Sequence, residues 1–494
     1  MYDLILFGNN IETHNKHAKN FSETCQKIKD NPSIKVSIGI TRFNFFKLGE
    51  IIDFVNNLKG NYSNFKPIKM KLFPVSTLKK SFENYLNYLK SKQKNINFVL
   101  KDKKLFELFE IISSKSKNEK YKDRELIRYL GLICEYSFIG PEQIVIDPYH
   151  KCNTNCVHCW NHSPYVDPGV DWKNLKLDFI FFKQLIDDAS NLKVDHLVFG
   201  GAGEPLMHPE ILKIFEYASN KGLQIIVSTN AINLTKKFTD KLIKLNIKEL
   251  ICSLPAASID TYCEINPLHK GKDTFSKIVK NLTYFASQKI KFNTNTTLSM
   301  YHVIHNINYN EIPKMARMDV KIGVDIARFS LIRLQKEFMH LKINANQMKS
   351  IKNSIKFVEA YFSDKNTKLK NNIHFQIDNY KPSTGEWSGK ILNKWGCKLG
   401  WFFSLLLADK KLSLCCHVRE IDNLDKTTFS DSWRSKEYNK FRVHAKYMKN
   451  HQDTKFKNGI KLYDDKCENC DNHVTLIKIE EKIKELGISK FMDY

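Results

Sequence analysis

The sequence predicts an α/β protein whose centre is a partial (β/α)6 TIM-like barrel over residues 143–335. A small α/β domain of unknown role is expected before it at 1–130, and a cysteine-bearing extension after it at 396–475. Three observations carry this reading. Six strand-like runs alternate with helical patterns through the middle of the chain. At roughly 150 residues per domain, 494 residues suggest two to four domains. Hydrophobic residues at 42% support large buried cores, and charged residues at 27% argue against disorder. Gly at 19 and Pro at 13 are few, which excludes collagen-like or linker-dominated chains.

Met1 to Asn9 is a short apolar run with neither a basic stretch nor a cleavage pattern, so it reads as a first strand rather than a signal peptide. Ile34–Ile40, Ile68–Val75 and Ile96–Leu100 read as strands, and Leu48–Leu58 and Leu78–Leu89 as amphipathic helices. This part holds no glycine-rich phosphate loop. A polar Lys/Ser-rich run over 113–125 is a candidate boundary. From Gln143 the rhythm becomes regular: QIVID (143–147), HLVFG (196–200), QIIVST (224–229), ELICSL (249–254), KFNTNTTL (291–298) and ARFSLI (327–332). Helical patterns such as Phe179–Leu192 and Pro209–Lys221 lie between them. Strand–helix alternation implies a parallel sheet of right-handed βαβ units, and six units fit a partial barrel better than a complete one. Functional residues should then follow strand C-termini. Residues 336–395 read as a helical connection and 476–494 as a charged C-terminal helix. No run approaches the ~18 apolar residues of a membrane span, Phe402–Ala408 being the densest, so a soluble cytoplasmic protein without a membrane partner is expected.

Lys+Arg exceed Asp+Glu by 78 to 53, a net charge of +25. The lysines are scattered and arginine is scarce, so charge alone does not point to nucleic acid.

Twelve cysteines in a chain without a secretion signal point away from disulfides. Cys152, Cys156 and Cys159 form a C-x3-C-x2-C run directly after the first barrel strand. Soft thiolates select zinc or iron–sulfur. A structural zinc site closes with four ligands, and His158 or His162 could supply the fourth. An iron–sulfur cluster held by three cysteines would instead leave one iron open to a small molecule.

This run, placed after the first strand of a six-unit barrel, resembles the radical S-adenosylmethionine (SAM) superfamily. The resemblance implies that Cys152, Cys156 and Cys159 hold a [4Fe–4S] cluster, with SAM chelating the fourth iron. One electron then cleaves SAM to a 5′-deoxyadenosyl radical, which abstracts a substrate hydrogen. Gly201-Ala202-Gly203-Glu204, after the second strand, is similar to the family's GGE motif at the SAM amino group. Alanine is tolerable there if backbone carbonyls do the binding. Thr229-Asn230 resembles the T-N-G element, with Ala231 in place of glycine, and Ser253 ends the fourth strand where the family often contacts SAM. Asn295 and Arg333 are weaker candidates.

Cys397, Cys415, Cys416 and the C-x2-C pair Cys467 and Cys470 form a second group. With the hairpin-like run Ala408–Cys416, they resemble the SPASM/twitch extension of that superfamily. Five cysteines suit the twitch form, with one auxiliary [4Fe–4S] cluster on Cys397, Cys415, Cys467 and Cys470. Cys416 could replace Cys415, since neighbours in a strand face opposite ways. The expected turn glycine is missing from Asp409-Lys410-Lys411. Cys25, Cys134, Cys252 and Cys263 read as small buried hydrophobes.

The resemblance implies an oxidoreductase-type enzyme acting on a peptide or small polar, sugar-like substrate. It would bring net oxidation or modification aided by the auxiliary cluster, and an electron donor such as flavodoxin or ferredoxin. The rival readings are a zinc- or iron–sulfur-stabilised nucleic-acid-binding protein and an electron-transfer protein without SAM chemistry.

Overall fold

A computed structural model describes residues 118–492 apart from 371, 388–390, 468, 469 and 471. Before these it describes 4–6, 21–30, 36–40, 54, 96–100 and 103–116. The chain divides into two compact units, Met1–Ile139 with Lys478–Tyr494, and Gly140–Ile477.

In the first unit, β1 (Leu4–Leu6), β2 (Val36–Ile40) and β3 (Ile96–Leu100) form a parallel sheet in that order. The expected strand over 68–75 and helices over 48–58 and 78–89 lie outside the described residues, Phe54 excepted. The polar run at 113–125 is mostly helical. One helix runs Lys103–Ser116 and the next Asp123–Cys134, so only 117–122 separates them. The last residues of the chain belong to this unit. Glu485 pairs with Lys120 at 2.6 Å and accepts from the Tyr121 hydroxyl at 3.0 Å, and Lys490 pairs with Glu107. The C-terminal helix starts at His473 and ends at Leu486, followed by a 3-10 turn at Ser489–Phe491.

The second unit is built on β4 (Gln143–Ile146), β5 (His196–Phe199), β6 (Gln224–Thr229), β7 (Glu249–Ser253), β8 (Thr297–Ile304) and β9 (Ile326–Leu331). All six are parallel and neighbour one another in sequence order. The partial (β/α)6 barrel is therefore present. One strand differs from expectation: β8 starts at Thr297, not near Lys291. The preceding helix runs through Lys291, and Asn293 turns the chain with φ of 46°. The β-branched, apolar run that forms the buried strand begins only after the polar Asn-Thr repeat, which leaves Asn295 exposed.

Residues 336–395 do more than connect. The helix Ala345–Phe362 carries Met348, Ile351, Ile355, Val358 and Phe362 at helical spacing, and all are buried. They share a core with Phe329 and Leu331 of β9. Burying each such side chain contributes about 1.5–3 kcal/mol. A reciprocal cap between Asn344 and Gln347 fixes the helix start. Behind it, β10 (Lys368–Leu369) adds a parallel strand to β9.

The cysteine-bearing extension continues the same sheet on its other side. β11 (Phe403–Leu406) runs parallel to β4, with Phe403 opposite Gln143 and Leu406 opposite Ile146. β12 (Lys411–Ser413) returns antiparallel, and β13 (Glu420–Asn423) pairs with it. The turn works without glycine because Lys410 adopts φ of 63° and the Asp409 carboxylate accepts from the Lys411 amide at 3.2 Å. Behind the hairpin, the buried Arg442 donates to the Gly400 and Trp433 carbonyls, both at 2.7 Å.

Gly396, next to Cys397, has φ of 65°, and a Cβ there would sit 2.0 Å from the Lys446 carbonyl oxygen. Both the conformation and the backbone clash oppose any side chain. Gly396→Ala is expected to destabilise the chain by roughly 2–4 kcal/mol. Thermal unfolding of the purified variant checks this, and an unchanged midpoint would contradict the packing described.

Candidate functional site

The loop leaving β4 carries Cys152, Cys156 and Cys159, all half-buried. Thr154 sits between them, its hydroxyl 3.2 Å from Cys152 Sγ and 3.6 Å from Cys156 Sγ. Cys156 Sγ lies 2.8 Å from Asn266 Oδ1, and Asn230 Nδ2 stands 3.9 Å from Cys152 Sγ. The same Asn230 amide donates to Asn153 Oδ1 at 2.7 Å, which joins the cysteine loop to the end of β6. His269 and Asn155 hold the loop's other side, through Asn153 O at 2.9 Å and the Leu268 amide at 2.8 Å.

Burial pushes the Cys152 thiol up to about 11, and it raises Cys156 and Cys159 as well. Without a cation the thiols stay protonated, and only a positively charged group would draw three thiolates into this space. Among the described residues, Cys416, His417 and Cys470 in the extension bring three ligand atoms within 4.8 Å of one another. The two histidines weighed as a fourth ligand differ. His162 Nε2 is engaged by the His150 carbonyl at 2.8 Å. His158 Nδ1 is buried without a hydrogen bond, and burial pushes the ring down to about 4.

The glycine-rich turn after β5 meets this loop directly. A Cβ on Gly203 would lie 2.1 Å from the Tyr149 carbonyl oxygen, so only glycine fits. Gly201 is exposed, with the Asp147 side chain 3.5 Å from where its Cβ would be.

Glu204 is buried and serves the protein itself. Its carboxylate accepts from the Thr229 hydroxyl at 2.7 Å, the Asn230 amide at 2.8 Å and the Leu206 amide at 3.0 Å. Burial raises its pKa and these donors oppose that. Glu204 thus ties the end of β5 to the end of β6, with Thr229 and Asn230 as its partners. Ala231 follows with φ of 60°, the left-handed conformation for which glycine is the usual residue. Ser253 closes β7, and no hydrogen bond among the described residues joins it to this group.

Several residues at the site were not singled out from sequence. Asp147, at the tip of β4, is fully buried, with Oδ2 3.0 Å from His150 Nε2. His150 Nδ1 faces the Trp172 carbonyl at 3.1 Å. A carbonyl only accepts, so Nδ1–H donates there. An acid at a strand tip was the available signal. His305, at the end of β8, accepts from the Ile307 amide on Nδ1 at 3.3 Å. Its proton is therefore on Nε2, which is buried without a hydrogen bond. His158 is its neighbour, ring centres 5.3 Å apart. Arg333, one of the weaker candidates from sequence, follows β9 and lies 3.6 Å over the Trp160 ring.

In the extension, Cys397, Cys415, Cys467 and Cys470 all line one cavity, with Arg419 and His417 in its wall. Arg419 is the residue that sequence reasoning missed. It is 1% exposed, donates to Cys467 Sγ at 3.0 Å and Cys415 Sγ at 3.6 Å, and pairs with Asp464 at 3.0 Å. Burial pushes Cys397 and Cys467 up to about 12, and the Arg419 charge opposes this. Of the four cysteines expected to be hydrophobic filler, Cys134 and Cys252 are buried, whereas Cys25 and Cys263 are half-exposed.

Comparison with known proteins agrees with this geometry. The profile of the radical SAM superfamily matches residues 146–318, from the end of β4 into the helix after β8. The AdoMet-dependent heme synthase of Methanosarcina barkeri is 27% identical over 184 residues, 37% of this chain and 48% of that protein. The tungsten-containing aldehyde ferredoxin oxidoreductase cofactor-modifying protein of Pyrococcus furiosus is 21% identical over 313 residues, 60% of this chain and 82% of that one. Streptococcus suis SuiB, solved with S-adenosylmethionine bound, shares the fold with a TM-score of 0.52 at 14% identity, over 84% of this chain and 92% of its own. Residues 146–318 thus carry a domain of the radical SAM superfamily, a superfamily of enzymes. The match spans about half of the heme synthase's length. Among the described residues, no helix is long and apolar enough to cross a membrane.

Glu204→Gln would set an amide donor against one of three donors now served by a carboxylate. A loss of roughly 1–3 kcal/mol is expected, read as a lower unfolding midpoint. Thr229→Val, which removes one donor and leaves the carboxylate two partners, should cost less; equal losses would contradict the network.

Proposed function

We propose that the chain cleaves SAM reductively and uses the resulting radical to take hydrogen from a peptide or a small polar substrate. The observation that carries this is the set of three half-buried thiols on the loop after the first barrel strand, inside the segment that matches the radical SAM profile. A [4Fe–4S] cluster on Cys152, Cys156 and Cys159 would supply the electron and an open iron for SAM. The protein's own residues do the rest. Thr154, Asn230 and Asn266 hold the sulfurs in place. Gly203 lets the turn after β5 pack against the Tyr149–His150 backbone, and Gly201, Ala202 and Gly203 offer main-chain groups to the SAM amine. Glu204 fixes Thr229 and Asn230 rather than spending its charge on the ligand. Ser253 would line the far side. Bound substrate would exclude water from the reactive intermediate there.

The cavity in the extension supports one auxiliary [4Fe–4S] cluster on Cys397, Cys415, Cys467 and Cys470. Four thiolates around such a cluster leave net negative charge, and the buried Arg419 guanidinium offsets it. This group would pass an electron to or from the substrate, aiding net oxidation or modification, with a flavodoxin or ferredoxin as outside donor. The solved complex of SuiB with its precursor peptide SuiA is the ground for including peptides.

Anaerobic reconstitution with iron and sulfide tests this. The wild type should hold about eight irons, four per cubane, and release 5′-deoxyadenosine when reduced with SAM present. Replacing Cys152, Cys156 and Cys159 by Ala should remove about four irons and all nucleoside. Cys415→Ala with Cys467→Ala should also remove about four yet leave SAM cleavage measurable. A wild type that holds zinc instead, or releases no nucleoside, would overturn the proposal. Because burial keeps the free thiols protonated, loading releases protons and should go further at about pH 8.5 than at about pH 6.5, followed by the cluster's visible absorbance.

A further inference from the structure

Arg419 is fixed at the second cysteine group by its own backbone and by its side chain. It ends the connection between β12 and β13, and its carbonyl accepts from the Leu414 amide at 3.1 Å across the loop that carries Cys415, Cys416 and His417. Val418, just before it, has φ of 50°. A β-branched residue rarely adopts that left-handed conformation, so the backbone is strained at the point that turns Arg419 inward. Nε then donates to the Leu462 and Lys461 carbonyls at 2.9 and 3.1 Å. Nη2 reaches Cys467 Sγ and the Asp464 carboxylate, both at 3.0 Å, and Nη1 reaches Cys415 Sγ at 3.6 Å. Asp464 is 32% exposed, so water screens that partner, whereas both cysteines are buried. A cation that proteins do not deprotonate thus turns two of its three nitrogens to sulfur. Neutral thiols are weak acceptors and do little to offset the burial of such a charge; sulfurs that carry negative charge do. The loop after β4 is built differently. The groups within bonding reach of its sulfurs, Thr154, Asn266 and Asn230, are neutral.

We propose that Arg419 sets the auxiliary group to receive electrons, by holding the reduction potential of a cluster on Cys397, Cys415, Cys467 and Cys470 above the value its four sulfurs alone would give. This rests on the two-cluster reading above and chooses between the two directions of transfer it left open. Reduction adds one electron and no proton, breaks no bond, and makes the group more negative. A fixed positive charge with N–H donors on two ligand sulfurs stabilises that form over the oxidised one, which raises the potential. The group therefore takes one electron from a more reducing partner, which is oxidised in exchange. For the same reason it is a poor source of the low-potential electron that SAM cleavage requires.

The full-length chain with Cys152, Cys156 and Cys159 all replaced by Ala isolates the auxiliary group for the test. Loaded anaerobically, it should hold about four irons. It is titrated with dithionite at a series of fixed potentials, with the EPR signal of the reduced cluster as readout. Arg419→Gln in this background should keep about four irons. At the potential that half-reduces the parent, its ratio of reduced to oxidised cluster should be lower by at least about tenfold, a fall of about 59 mV for one electron. Arg419→Lys, which keeps the charge without the planar fork, should lie between the two. A potential that stays level or rises in Arg419→Gln would overturn the inference. A second measurement does not depend on any variant at position 419. In the parent protein grown on arginine labelled with the heavy nitrogen isotope, pulsed EPR of the reduced cluster should show coupling to that isotope, and its absence would also overturn the inference. A parent that holds no iron would instead overturn the auxiliary-cluster reading, and this inference with it.

Discussion

The ladder between β4 and its two neighbours positions both cysteine groups. β5 pairs with one edge of β4 and β11 with the other, four residue pairs each. The loop that leaves β4 carries the first three cysteines, and the hairpin that leaves β11 carries Cys415 and Cys416. The Asp147 amide donates to the Leu406 carbonyl at 2.9 Å, extending the register to the start of the loop that carries the first cysteines. A one-residue slip of β11 would turn its inward side chains outward and displace the hairpin cysteines with them. The two sites are thus held in one frame by main-chain hydrogen bonds, not by loops that meet at their tips.

Electrostatics separates the two sites. The first has three thiols whose pKa values burial raises, and neutral amides and a hydroxyl around them. The second has Arg419 inside it, paired to Asp464 and bonded to two of its sulfurs. A fixed guanidinium offsets the charge that thiolates would carry into a buried space. Arg419 therefore suits the proposed closed site of four thiolates, whereas the groups at hydrogen-bonding distance from the loop sulfurs are neutral.

Much of this was legible from the residues alone. Five of the six barrel strands start within a residue of where alternation and turn residues place them, because buried parallel strands are short apolar runs with clear ends. The fifth failed where the segment 291–296 mixes Lys, Asn and Thr: its polar residues extend a helix and a turn, and β8 begins only at Thr297. The cysteine spacing marked segments in which the structure gathers thiols, since residues close in sequence are close in space. Glu204 shows the opposite case. A carboxylate beside glycines reads as a partner for an amine, yet its acceptors are taken by Thr229, Asn230 and Leu206, an arrangement set by tertiary packing between two strand ends. Arg419 and His305 were invisible for the same reason: a lone arginine or histidine in a sequence does not disclose that it will be enclosed.

The discontinuity of the first unit has a consequence for how the chain is made. Residues 1–139 and 478–494 belong to one compact unit, with 338 residues of another unit threaded between them. On the ribosome, the opening segment emerges first but cannot acquire its Glu485 and Lys490 partners until the final residues have been added. The barrel and its extension, continuous in sequence, can close while the earlier segment still waits. The ion pairs between the earlier segment and Glu485 and Lys490 can therefore form only after the whole of the intervening unit has been made.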